Sequence, residues 1–282
     1  MITLLSDLFA YQFMVNAFAA GTIAAVMAAV IGWYVVLRRE AFAAHTLALV
    51  GFPGGSAAAL IGWPVAVGYF AFTGLGALAM APGFARTRRR EANETATIGT
   101  IQASALALGY LFVTLSHTNL SAAQALLFGS FLGITSAQVD TLAAVAVVVL
   151  VTMACIARPL FFASIDADVA AARGVPTRAL AFVFIGLLAA TVAAVSQITG
   201  ALLVFALLVI PAATAQRITA RPDRGVACAV LIAVAATWAG LATSYFGNVP
   251  IGFTVTSFAF AVFLLVRVGE AVVHRATSRG IA

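Results

Sequence analysis

Three histidines, two cysteines and nine acidic residues are the side chains of this 282-residue sequence that could bind a metal or move a proton. They do not gather into a recognisable centre. The sequence contains no HExxH, CxxC or GxSxG, and no paired carboxylates at helical spacing within an apolar run, so zinc-hydrolase and serine-hydrolase chemistry has no support. There is no lysine, which excludes the GxxxxGK[ST] loop whose lysine reaches nucleotide phosphates. An enzyme is not expected. What remains is an isolated imidazole, His45, together with amides and hydroxyls inside apolar runs, such as Asn16, Gln102, Gln197 and Thr214. An ion-coupled carrier usually places ionisable groups at mid-membrane, whereas here the charges lie at the ends of the apolar runs. The pattern favours a passive conduit driven by a separate motor.

The elements that must position these residues follow from composition. Apolar residues make up 63% of the chain and charged residues 9%, against roughly 25% charged in a soluble domain. The first residues, Met1 to Gln12, lack the features of a signal peptide, and Cys155 and Cys228 sit in apolar runs where a thiol acts as a small hydrophobe. Spans are expected at Phe13 to Leu37, Phe42 to Ile61, Pro64 to Pro82, Thr97 to Leu115, Ala137 to Ala157, Ala179 to Thr199, Ala201 to Gln216, Val226 to Phe246 and Phe253 to Arg267. The fold class is therefore an all-α polytopic membrane protein of about nine (eight to nine) transmembrane helices. Between the fourth and fifth runs, His117 to Ser136 is uncharged, and Ser121 to Phe131 is apolar but too short to cross, so a half-inserted or interfacial helix is expected there.

Orientation follows from arginine. Placing the N-terminus outside puts all 15 arginines, from Arg38 to Arg279, on the cytoplasmic side, as the positive-inside rule requires. The net charge of +6 is then a topology signal and does not imply nucleic acid. The inner connections are too short to hold a core, so residues 1–282 read as one transmembrane domain with an inner loop at 158–178.

Four segments carry a resemblance. Phe13 to Ala17 with Gly21, Gly32 and Val35 to Phe42 resembles the opening of the zinc and manganese permeases of ATP-binding-cassette importers (the ABC-3 type). Leu127 to Ile134 resembles their outer FGS segment, Gly200 to Val204 with Leu208 to Ala215 their most distinctive run, and Gly240 to Tyr245 with Asn248, Pro250 and Gly252 their penultimate motif. The resemblance implies half of a homodimeric pore in a prokaryotic cytoplasmic membrane, with a cytoplasmic ATP-binding subunit and an extracytoplasmic metal-binding protein as partners. It implies zinc or manganese as cargo and no permanently bound cofactor.

Residues 161–176 read as a short surface helix. Ser164 or Asp166 can cap its start, Gly174 suits a left-handed stop, Pro176 prevents continuation, and Val169 and Ala172 share a face. A solvated connector would look the same. In the resembling family this segment docks into the ATPase, and the matching positions are Asp166, Asp168, Ala170 and Gly174.

The family carries an Asp and a His four residues apart at the start of the second span. His45 stands at the aspartate position here and Leu49 at the histidine position. Loss of the carboxylate favours zinc over manganese, because imidazole is a good zinc ligand. Two copies of His45 across a twofold axis could restore a two-nitrogen site. The other reading of His45 is a neutral imidazole bonded to a carbonyl or to a hydroxyl such as Thr46. Asn16 matches a family position near the outer end of the first span, where a buried amide bridging helices ranks above a contact with metal in the path. Pro211 frees the carbonyl of Leu207 and permits a kink beside the pathway. Glu94 resembles the family's entry to the fourth span. His117 and Asp140 flank the outer loop, where solvation is the favoured reading, and His274 is assigned nothing. Two other functions remain open: the same type of permease carrying a metal chelate, and an ion-coupled secondary transporter.

Overall fold

The computed structural model describes residues 11–84, 91–116, 126, 127, 129, 133–247 and 249–279, and of 82–84, 91–97 and 273–279 the backbone alone. The architecture is all-helical: α1 (Gln12–Leu37), α2 (Ala41–Leu60), α3 (Val65–Phe84), α4 (Glu91–Leu115), α5 (Ser136–Ile165), α6 (Ala167–Ala172), α7 (Thr177–Ile218), α8 (Pro222–Gly247) and α9 (Ile251–Arg279). No strand occurs among the described residues. In hydrocarbon every backbone polar group must find its partner within the chain, which leaves the helix as the default for such apolar segments. Seven helices are long and apolar enough to cross a membrane, and Val65–Ala81 is a shorter apolar one.

The 42-residue α7 is two rods. Gly200, at φ 79 and ψ 157, is the one residue in it with non-helical torsions. Its two ends meet neighbouring residues of α1. The ring of Phe184 packs on Tyr34, and Gln216 Nε2 donates to the carbonyl of Trp33 at 2.8 Å. A straight helix would hold Phe184 and Gln216 about 48 Å apart at 1.5 Å per residue, so the chain turns back at Gly200. Counting α3 and both arms of α7, the seven crossing helices become nine apolar segments, in line with the expected number.

Small residues set the helix spacing. A methyl group added at Gly32 would lie 1.9 Å from the carbonyl oxygen of Leu208, and one at Gly54 2.2 Å from that of Gly68. α1, α2 and α7 form the buried centre. α4, α5 and α9 surround it and turn large apolar side chains outward, among them Leu108, Leu111, Val148, Val151, Leu265 and Val268. Those faces suit lipid.

Three boundaries differ from the sequence expectation. α5 runs through Pro159 to Ile165, so the first part of the inner loop at 158–178 is helix, held because Leu160 and Ala163 remain in the core. α4 begins at Glu91 and α9 continues to Arg279. Charge ends an apolar run; it does not end a helix.

Candidate functional site

His45 lies in the second turn of α2, half-buried, and its ring packs on Phe205 of α7 with centroids 4.5 Å apart. Its Nδ1 is buried and has no hydrogen-bond partner among the described residues. Thr46, the hydroxyl that could have satisfied it, donates to the carbonyl of Phe42 at 3.1 Å instead. Leu49 is 2% exposed and clusters with Phe52, Leu127 and Ala201, so the aspartate-matching position is polar while the histidine-matching one belongs to a dry cluster.

That cluster joins three parts of the chain at one level. Leu127 comes from the segment between α4 and α5, Ala201 from the turn in α7, and Leu49 with Phe52 from α2. The carbonyl of Leu126 accepts from the hydroxyl of Tyr69 at 2.9 Å. A Cβ on Gly129, whose φ is 80, would lie 2.4 Å from the backbone of Thr199. Leu127 and Ile134 are thus buried in protein and Leu126 and Gly129 half-buried, while Gly133 and Thr135 are exposed. His117 and residues 121–125 fall outside the described residues, and so does Asn248.

Asn16 ties α1 to the connection ahead of α5 and to its own helix, where a bridge between helices ranked first from the sequence. Its Nδ2 donates to the carbonyl of Ile134 at 2.9 Å, and its Oδ1 accepts from Gln12 at 3.2 Å. Asp140 is exposed near the start of α5. Glu94 and His274 lie in α4 and α9. Pro211 is buried inside α7 with helical torsions around it. The large break is eleven residues earlier, where Gly200 lacks the Cβ that would forbid its torsions. Among the described residues no three His, Cys, Asp or Glu side chains gather to hold a metal ion.

At the other end of α5 the short helix expected over 161–176 is confined to Ala167–Ala172, since 161–165 continue α5. Asp166 caps α6, its Oδ1 accepting from the amides of Asp168 at 3.1 Å and Val169 at 3.0 Å. The stop is a paired motif: Gly174, at φ 81, donates to Ala171 and Val175 to Ala170. Ala170 is buried in the core and anchors the helix, while Asp168, Val169 and Ala172 face outward. Ser164, the other candidate cap, donates instead to the carbonyl of Leu160 at 2.6 Å, and its link to Arg38 was not anticipated from sequence. Arg38 pairs with Glu40 at 2.9 Å, donates to Ser164 at 3.4 Å and lies over the Phe184 ring at 5.2 Å. Burial pushes the Glu40 carboxyl up to about 7, against the opposing pull of Arg38. An arginine and a glutamate two apart at a span end were the available signal.

Comparison with known proteins gives consistent relationships. The model of the ABC 3 transport family matches residues 10–269. The chain is 32% identical over 265 residues to the chelated iron transport system membrane protein YfeC of Yersinia pestis, covering 94% of this chain and 88% of that protein. It is 27% identical over 259 residues to the manganese transport system membrane protein MntC of Halalkalibacterium halodurans, covering 92% and 88%. The fold matches PsaBC from Streptococcus pneumoniae with a TM-score of 0.84 at 22% identity, covering 94% of this chain and 95% of that one.

Proposed function

Given that this chain belongs to the ABC 3 transport family, we propose that it is the membrane subunit of an ATP-driven importer of a divalent transition-metal ion, zinc ahead of manganese. The observation that carries the reading is His45, whose buried Nδ1 has no partner among the described residues of a multi-pass bundle. An imidazole nitrogen left unsatisfied at such a position becomes a ligand for a cation once the bundle opens to it. Replacing the family's carboxylate by imidazole favours zinc.

No chemistry falls to this subunit and no cofactor resides in it. A cytoplasmic ATP-binding subunit docks against Asp168, Val169 and Ala172 of α6, with Asp166 and Gly174 fixing the helix ends and Ala170 its seat. An extracytoplasmic metal-binding protein delivers the cargo at the opposite face, the N-terminus lies outside and the C-terminus inside, and two copies form the pore. Alternating access follows: closure of the ATPases moves α6, and Arg38 carries that movement from Ser164 to Glu40 at the head of α2, five residues before His45.

A second reading, a metal chelate as cargo, is favoured by the relative named for chelated iron transport and by Leu49. Uptake of radioactive zinc, with unlabelled manganese as competitor, tests both in cells carrying the permease and its ATPase. Zinc uptake that falls in His45→Ala supports the proposal. Absence of zinc uptake from an assembled transporter moves the chelate to first place.

A further inference from the structure

We propose that Gln102 of α4 faces His45 of α2 and that the two form one neutral station for the passing cation, an amide oxygen beside an imidazole nitrogen. This rests on the importer reading above. The register of the helices carries it. A Cβ on Gly109 would lie 2.3 Å from the Phe52 ring, and the rings of Phe52 and Tyr110 are 5.4 Å apart, which sets Gly109 level with Phe52. Leu106 and Val113 of α4 pack against the cluster containing Leu49 and Phe52.

The two helices run in the same direction. Gly54 meets Gly68 in the antiparallel pair α2 and α3, so Phe84 lies about 24 Å to the side on which α2 begins. Glu91 is seven residues further on, a reach of about 25 Å at most. α4 can therefore start only on that same side. Stepping back seven residues from Phe52 and from Gly109 moves nearly two turns, about 10 Å, along each helix and returns to the same face. Those positions are His45 and Gln102. Gln102 also shares its stripe with Ala105 and Gly109, the buried positions of α4, whereas Leu108 and Leu111 face outward.

The chemistry agrees with the register. Gln102 Oε1, like His45 Nδ1, is buried without a hydrogen-bond partner among the described residues. A buried amide oxygen left unpaired costs about 1–3 kcal/mol, a cost that a transient ligand relieves. Neither donor is charged, so a dication is held weakly enough to leave again. A nitrogen and an amide oxygen also suit a first-row divalent ion better than either a hard alkali-earth ion or a soft thiophilic one.

Two measurements test this separately from the importer reading. The first titrates Cd2+ into full-length permease with Cys155→Ser and Cys228→Ser, following thiolate-to-cadmium absorption. The pair His45→Cys with Gln102→Cys is expected to bind at least about tenfold tighter than either single cysteine. Equal affinity overturns the juxtaposition. The second measures uptake of radioactive zinc and manganese by the assembled transporter. Gln102→Leu is expected to lower uptake about tenfold, and Gln102→Glu, which keeps an oxygen donor, to retain it. Unchanged uptake in Gln102→Leu overturns the station. Should the wild-type transporter carry neither cation, the importer reading falls and the station with it. A failed cadmium titration beside intact uptake removes the pair alone.

Discussion

Arg38 donates to the hydroxyl of Ser164 across 3.4 Å, joining residues 126 positions apart. Ser164 precedes the Asp166 cap of α6 by two residues, and Arg38 also holds Glu40 at the head of α2. One side chain thus touches the last turn of α5, just ahead of α6, and the residue that precedes α2, the helix that carries His45.

Arg38→Ala should therefore affect both stability and transport. With side chains only 12% and 15% exposed, the pair is buried, and removing the guanidinium leaves Glu40 without its partner, so that it takes up a proton and the loss of stability grows as pH rises above about 7. Adding Glu40→Gln should recover most of the thermal stability of the detergent-purified protein without restoring uptake, since the link to Ser164 stays broken. Recovery of both would show that Arg38 serves only the ion pair.

Glu40 predicts a pH dependence. Burial raises its carboxyl from the ordinary 4.5 to about 7, so the folded chain binds that proton more tightly than the unfolded one. Its contribution is full below about pH 4.5 and is lost as pH rises through about 7, a difference of about 3 kcal/mol. Unfolding temperatures of wild type and Glu40→Gln, compared at pH 5 and 8, should converge in their pH slopes only if another group is responsible. The expected result is a flatter profile for the variant.

Gly200→Ala should cost about 1–3 kcal/mol, because φ near 79 with extended ψ is closed to residues with a Cβ. Pro211→Ala, in contrast, restores a helical donor where torsions are already helical, and should leave the unfolding temperature within a few degrees. A larger effect at Pro211 than at Gly200 would place the working break of α7 at the proline.

Asp166→Ala removes the α6 cap and should cost about 1 kcal/mol. Val169→Arg acts differently. Val169 is 46% exposed, so the substitution should leave thermal stability unchanged while abolishing co-purification of the ATPase and metal uptake. Retained co-purification would show that this face of α6 is not the docking surface.

The helices and the α6 motif were legible in the chain itself, because each depends on local information. Apolar runs of bilayer length compel helices, and Asp166 with Gly174 closes a short helix through contacts only a few residues long. The return of α7 at Gly200 was legible too, as the boundary between Thr199 and Ala201. The candidate site was half legible. His45 is conspicuous as a lone imidazole, but its lack of a partner is not, since Thr46 stands beside it in sequence and bonds to Phe42 instead. Charge misled at the boundaries: arginines and glutamates marked the ends of spans, whereas α4, α5 and α9 continue past them. Tertiary structure alone decided what no local pattern encodes. It brought Leu127 and Ala201 to Leu49, Ser164 to Arg38, and Gly109 against the Phe52 ring. Each of those meetings depends on the register of packed helices, which small residues such as Gly32, Gly54 and Gly109 fix by how closely they let neighbours approach.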